Sequence, residues 1–118
     1  MSRRVVAAVS DLFFIAKLKE AARHAGVALE LTSSGSDLLE KAGSGAALVI
    51  LDLNDPTVDN VESIRRLRLT AETASVPILA FLSHVQRDLA ERARAAGCER
   101  VVARSQLSAR LVDFLRGE

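Results

Sequence analysis

Two aspartates are placed where they could do chemistry together. Asp52 closes the apolar run Ala47-Leu48-Val49-Ile50-Leu51, and Asp11 follows a second apolar run that begins at Arg4. Pro56, four residues past Asp52, cannot continue a strand, so the run must end near the aspartate. A short unbroken apolar run of this kind reads as a parallel strand buried on both faces. Its carboxyl end is where open α/β sheets place their sites. Asp52 could equally cap the turn that follows the strand. Paired with Asp11 and loop carbonyls it makes an oxygen-rich pocket suited to Mg²⁺. A divalent ion there would let a carboxylate accept a phosphoryl group by neutralising the developing charge. Asp52 is the better nucleophile, Asp11 the better ion ligand, and the Asn54 carbonyl reaches the same ion. His24 reads as solvated on a helix, while His84 follows a strand and can approach the crevice. The glycines around Gly35 and Gly43-Ser44-Gly45 lack the spacing of a phosphate-binding loop.

The elements that must carry these residues alternate strictly. Strands are expected over Arg4 to Val9, Val27 to Leu31, the run ending at Leu51 or Asp52, Val76 to Leu82, and Arg100 to Ala103. The first helix runs from Leu12 to Ala25, with Phe14, Leu18, Ala21, Ala22 and Ala25 on one face and Gly26 as its stop. Ser36 is the expected cap of a short helix ending at Ala42. Val61, Ile64 and Leu67 stripe the third helix, and Val85, Leu89, Ala93 and Ala96 the fourth. Leu107, Leu111, Val112 and Leu115 stripe the last. Right-handed βα crossovers then give a flavodoxin-like, doubly wound, five-stranded parallel sheet of order 2-1-3-4-5. Helices 1 and 5 should cover one face and helices 2, 3 and 4 the other. The switch point falls between strands 1 and 3, so Ser10-Asp11 and Asp52 should converge.

Composition narrows the functions available. The 118 residues suffice for one domain, expected to span 1–118, with 49% hydrophobic and 26% charged residues. There is no Trp or Tyr, which removes the usual stacking platforms for single-stranded nucleic acid. A net charge of +1 gives no global field to attract a polyanion. Arg65, Arg66 and Arg68 read as a solvated helix face, since acids are interspersed. One cysteine, Cys98, excludes an internal disulfide and reads as a small buried filler. No segment reads as a secretory signal or a membrane span, so a cytoplasmic protein is expected, binding neither nucleic acid nor membrane.

The chain resembles the receiver domain of two-component response regulators over essentially its whole length. Asp52-Leu53-Asn54-Asp55-Pro56-Thr57-Val58-Asp59-Asn60 is similar to that family's Asp-x-x-x-Pro-x-x-Asp-Gly stretch. The distance from Asp52 to Pro77 and the Ala95-Ala96-Gly97 before strand 5 also match. The resemblance implies that Asp52 is the phosphoacceptor and that Asp11, Asp52 and Asn54 hold Mg²⁺. It implies a turn at Asp59-Asn60, where Asn would take the left-handed backbone that Gly normally supplies.

Four switch positions depart from the pattern. The acidic pair after strand 1 is Ser10-Asp11. The strand-4 Thr or Ser aligns with Leu82, and the adjacent Ser83 would reach the site only through a local bulge. The aromatic of strand 5 is Val101, and the Lys after that strand is Arg104. Losing the hydroxyl removes a bond to a charged acceptor, of order 1.5–3 kcal/mol. That is as large as a typical allosteric coupling of roughly 1–3 kcal/mol. The expected protein is therefore a degenerate receiver, not an enzyme, that signals by binding a histidine kinase or a downstream signalling protein. Mg²⁺ binding should be weak or absent. A homodimer is a further option, and the partner surface would carry Arg87, Arg94, Arg100 and Arg110. A conventional Mg²⁺-dependent receiver is the first alternative, and a small flavodoxin-like enzyme or nucleotide binder the second. Arg104 should pair with Asp52 and lower its pKa.

Overall fold

The computed structural model describes residues 3–84 and 86–118. Its strands are β1 (Arg4–Ala8), β2 (Ala28–Leu31), β3 (Leu48–Asp52), β4 (Ile78–Leu82) and β5 (Arg100–Ala103). The helices are α1 (Leu12–Ala25), α2 (Gly35–Ala42), α3 (Asn60–Leu69), α4 (Arg87–Ala96), α5 (Arg104–Ala109) and α6 (Leu111–Arg116). All pairings are parallel, in the order β2-β1-β3-β4-β5. The central strands β3 and β4 are buried at every position, as their continuous apolar sequences require.

Alternating residues of these strands feed two cores. Val6, Val49, Leu51, Ile78, Ala80 and Leu82 pack against α2, α3 and α4 through residues such as Leu38, Ile64, Leu67 and Ala93. Val5, Ala7, Ile50, Leu79 and Phe81 pack against Phe14 and Leu18 of α1, and against Leu107, Leu111, Phe114 and Leu115 of α5 and α6. The helices are thus distributed as the alternation predicts.

Strand ends differ from expectation by one or two residues, β1 ending at Ala8, β2 starting at Ala28 and β4 at Ile78, and two helices differ more. The cap of α2 is Ser34, whose Oγ accepts the Asp37 amide, so the helix starts before Ser36. The expected last helix is two short ones. Arg110 leaves helical geometry (φ −131°, ψ 33°), and its carbonyl accepts the Phe114 amide to begin the second. Val85, assigned above to the fourth helix stripe, lies outside the described residues.

Arg68 is not part of a solvated face. Its Nε donates to the Gly97 carbonyl (2.9 Å), and its Nη1 to those of Ala74 (3.1 Å) and Val76 (2.7 Å). The side chain thereby ties α3 to the turns that launch β4 and β5. Gly97 has φ +119°, and a Cβ there would fall 2.6 Å from Arg68 Cγ. Gly97→Ala should therefore cost about 1–3 kcal/mol through backbone strain, besides displacing this arginine. Urea unfolding at equilibrium would read that loss; an unchanged midpoint would refute it.

Candidate functional site

The site is built on the carboxyl end of β3. Asp52 is its last residue and is only 3% exposed. Its Oδ1 accepts the Asn54 amide at 2.8 Å, and its Oδ2 faces Arg104 Nη2 at 3.5 Å. Arg104 is the first residue of α5, which follows β5 without a loop. Gln106 Oε1 accepts the Ala103 amide and so secures this direct strand-to-helix junction.

Arg104 binds both aspartates at once. Its Nη1 donates to Asp11 Oδ2 at 2.9 Å while Nη2 faces Asp52. The guanidinium carbon lies 5.0 Å from the centroid of Phe14 and 5.3 Å from that of Phe81. Those two rings are themselves stacked obliquely, with centroids 4.7 Å apart. A planar, weakly hydrated cation is well suited to lie over aromatic faces while forking two carboxylates. A lysine could supply the charge but not this stacking. The helical stripe of α1 marks Phe14 as core, and nothing in its spacing signals the second role as floor of the site.

Asp11 enters the site from a helix cap rather than a strand end. Its Oδ1 accepts the amides of Phe13 and Phe14 at 2.9 and 3.2 Å and so starts α1. Ala8 pairs with Leu51, and continuing that register by one residue sets the buried Val9 beside Asp52. The edge of β1 next to the acceptor is therefore apolar. Ser10 Oγ turns to Asp55 Oδ1 at 2.9 Å.

The switch positions are likewise dispersed. Leu82 is buried in the core under α4, and Val101 packs at the margin of that same core. Ser83 is exposed, and its Oγ donates to Asn54 Oδ1 at 3.1 Å. His84 is exposed beside it, with Nδ1 3.4 Å from Ser83 Oγ, and His24 is exposed next to Glu20. Arg87, Arg94, Arg100 and Arg110 are all exposed. Arg100 and Arg110 both lie against the Phe114 ring, 5.1 and 5.6 Å from its centroid.

Asn60 is a site residue whose role differs from the one its motif position suggests. It takes no left-handed backbone, since no described residue except glycine has positive φ. It is the first residue of α3, behind the Asp59 cap, and is 2% exposed. Its Nδ2 donates to the Asp52 carbonyl (2.8 Å) and the Ala8 carbonyl (3.3 Å), closing the gap between β3 and β1. Its Oδ1 is buried without a partner. The signal was present in the sequence: an amide-bearing side chain replaces hydrogen at the position where the similar stretch has Gly.

The two carboxylates are pushed in opposite directions. Burial raises the Asp52 pKa above the ordinary aspartate range, and the Asn54 amide and Arg104 only partly offset it. The expectation that Arg104 would bring Asp52 below its usual value is thus wrong. Desolvation of an almost fully buried carboxylate outweighs a guanidinium at 3.5 Å. Asp11 is lowered, first by the Phe14 amide and then, against desolvation, by Arg104 and the Phe13 amide.

As arranged, with Arg104 in place, the pair leaves no carboxylate oxygen unengaged for Mg²⁺. Asp11 has one oxygen on helix amides and the other on Arg104, and Asp52 has one on Asn54 and the other facing the same cation. A hard dication needs free carboxylate oxygens and room for several waters.

Comparison with known proteins bears on the fold alone. No protein-family model matches the sequence, and no curated protein matches it significantly. Solved structures do match. A response regulator from Hahella chejuensis is 23% identical, with a TM-score of 0.84 over 97% of this chain and 92% of that one. The chemotaxis protein CheY4 of Vibrio cholerae is 19% identical, with a TM-score of 0.84 over 99% and 98%. The receiver domain of a sensor histidine kinase from Pseudomonas aeruginosa is 18% identical, with a TM-score of 0.84 over 99% and 97%. That structure carries a magnesium ion in its active-site cleft. The chain has the fold of response-regulator receiver domains.

Proposed function

We propose that this chain is a non-catalytic signalling receiver that works by binding another protein, with its acceptor site filled from within. The observation that carries the reading is Arg104, which lies over Phe14 and Phe81 and bridges Asp11 and Asp52. A guanidinium in that place supplies the positive charge that Mg²⁺ would bring in a phosphorylated receiver, and it stands where a phosphoryl group would go. The fold is held in common with response regulators, and Asp52 keeps the strand-end position of their acceptor. The hydroxyl at strand 4 is replaced by a core leucine, and the strand-1 edge is valine. The modification is therefore slow or absent, and such effect as it has on shape is small.

We place the partner face on α4, β5 and the α5–α6 segment, around Arg87, Arg94, Arg100 and Arg110. Arg100 and Arg110 are exposed there, held against the buried Phe114 ring, and arginine is a residue that protein interfaces favour. The partner is a histidine kinase or a downstream signalling protein. No helix among the described residues is long and apolar enough to cross a membrane.

One observation favours a conventional receiver instead. Asp11 and Asp52 both reach a single cation, so an outward swing of Arg104, which is 28% exposed, would free two carboxylates for Mg²⁺. Intact-protein mass after incubation with Mg²⁺ and a small phosphodonor separates the readings. The wild type should show slow or no adduct, and Arg104→Lys with Leu82→Thr should partly restore it. Rapid, stoichiometric phosphorylation that Asp52→Asn abolishes would establish the conventional receiver.

A further inference from the structure

Asn54 joins the Asp52 turn to the start of α4. Its backbone amide donates to Asp52 Oδ1 at 2.8 Å, so its position follows that carboxylate. Its side chain then spans to the next strand-end loop. Asn54 Oδ1 accepts the Ser83 amide at 2.7 Å and the Ser83 hydroxyl at 3.1 Å. Asn54 Nδ2 donates to Gln86 Oε1 at 2.8 Å. Gln86 immediately precedes α4, and its carbonyl accepts the Ala90 amide of the first turn. The two oxygens of Asp52 are thus divided: one faces Arg104 at the head of α5, and the other leads through Asn54 to the head of α4. Leu82, buried among aliphatics, offers no polar route between the same two places.

We infer that Asn54 is a positioning residue that relays the state of Asp52 to the β4–α4 segment, in place of a hydroxyl at Leu82. An amide side chain suits this role because it accepts and donates at once, fixing Ser83 and Gln86 relative to one another. A change at Asp52 that weakens the Asn54 contact, such as loss of its charge, moves the Asn54 backbone and carries both partners with it. The relay operates whether or not Asp52 takes a phosphoryl group, so it stands apart from the reading of the acceptor site.

The test is a cycle of Asp52→Asn against substitutions of Asn54, read from backbone amide shifts of isotope-labelled protein. In the wild-type background Asp52→Asn should shift the amides of Ser83, Gln86 and the first turn of α4, together with those of Phe14 and Arg104. In an Asn54→Ala background the Ser83, Gln86 and α4 responses should be lost while those of Phe14 and Arg104 persist. Asn54→Asp, which keeps an acceptor for Ser83 but no donor for Gln86, should retain the first response and lose the second. A full α4 response in Asn54→Ala overturns the relay. Loss of every response, Phe14 and Arg104 included, also overturns it, because Asn54 would then merely hold the site together. If Asn54→Ala does not fold, Ser83→Ala with Gln86→Leu cuts the far end and must likewise silence α4 alone.

Discussion

Arg104→Met is expected to destabilise the protein by about 2–4 kcal/mol at neutral pH. Breaking a buried ion pair by removing one partner costs roughly 3–5 kcal/mol, and the lower figure reflects the partial exposure of this arginine. Methionine keeps much of the apolar stem over Phe14 and Phe81, so the loss reports chiefly on charge. Asp52 would be left buried beside Asp55 and Asp11 with no cation, and its pKa, already above the aspartate range, would rise further. A carboxyl group whose folded pKa exceeds its unfolded value favours the fold when protonated. The penalty should therefore be absent below the unfolded pKa and grow as pH rises through the folded one. Urea unfolding of Arg104→Met across that range should show stability recovering on acidification. Adding Asp52→Asn should recover most of the loss at neutral pH, because the stranded charge is then gone. If Arg104→Met and Asp52→Asn simply added, the two side chains would not be coupled.

The division between what sequence revealed and what it hid follows from the range of the forces involved. β3 was legible because burial on both faces demands an unbroken apolar run, and Leu48 to Leu51 supply it. α1 was legible to the residue because its stripe and its Gly26 stop are local signals. The strand order followed from alternation and the handedness of crossovers. That Asp11 and Asp52 converge followed from their strand-end positions, and that Arg104 lies beside them followed from the receiver resemblance, which sets a cation after β5. The direction of the Asp52 pKa was missed because it depends on how completely the surrounding elements exclude water. That quantity belongs to the packed fold and not to any neighbour in sequence. Arg68 was misread for a related reason, since its three carbonyl partners lie in turns before β4 and β5. The break at Arg110 has no cap or proline to announce it.

Asn60→Asp should have an effect as large as any at Arg104. The substitution keeps the shape of the side chain and exchanges its one donor group for a carboxylate oxygen. In the wild type that amide donates to the Asp52 and Ala8 carbonyls, in a site that is 2% exposed. A carboxylate there faces two carbonyl oxygens it cannot bond, one of them the main-chain carbonyl of Asp52, itself a buried acid. Leaving buried polar groups unpaired costs about 1–3 kcal/mol, and more for a charged group, so a loss of 3 kcal/mol or more is expected at neutral pH. Protonation restores a donor. The new group would hold a raised pKa, and the loss should shrink as pH falls through that value. Asn60→Gly, which creates the residue of the similar receiver stretch, removes the clasp without adding charge. It should cost only about 1–2 kcal/mol, with no added dependence on pH. Thermal or urea unfolding of both variants at two pH values distinguishes the cases. Equal, pH-independent losses would mean that Asn60 fills space and nothing more. A larger, acid-relieved loss in Asn60→Asp would mean that its donor group holds β1 and β3 together beneath Asp52. The unpartnered Oδ1 is then the cost of a side chain kept for its other end.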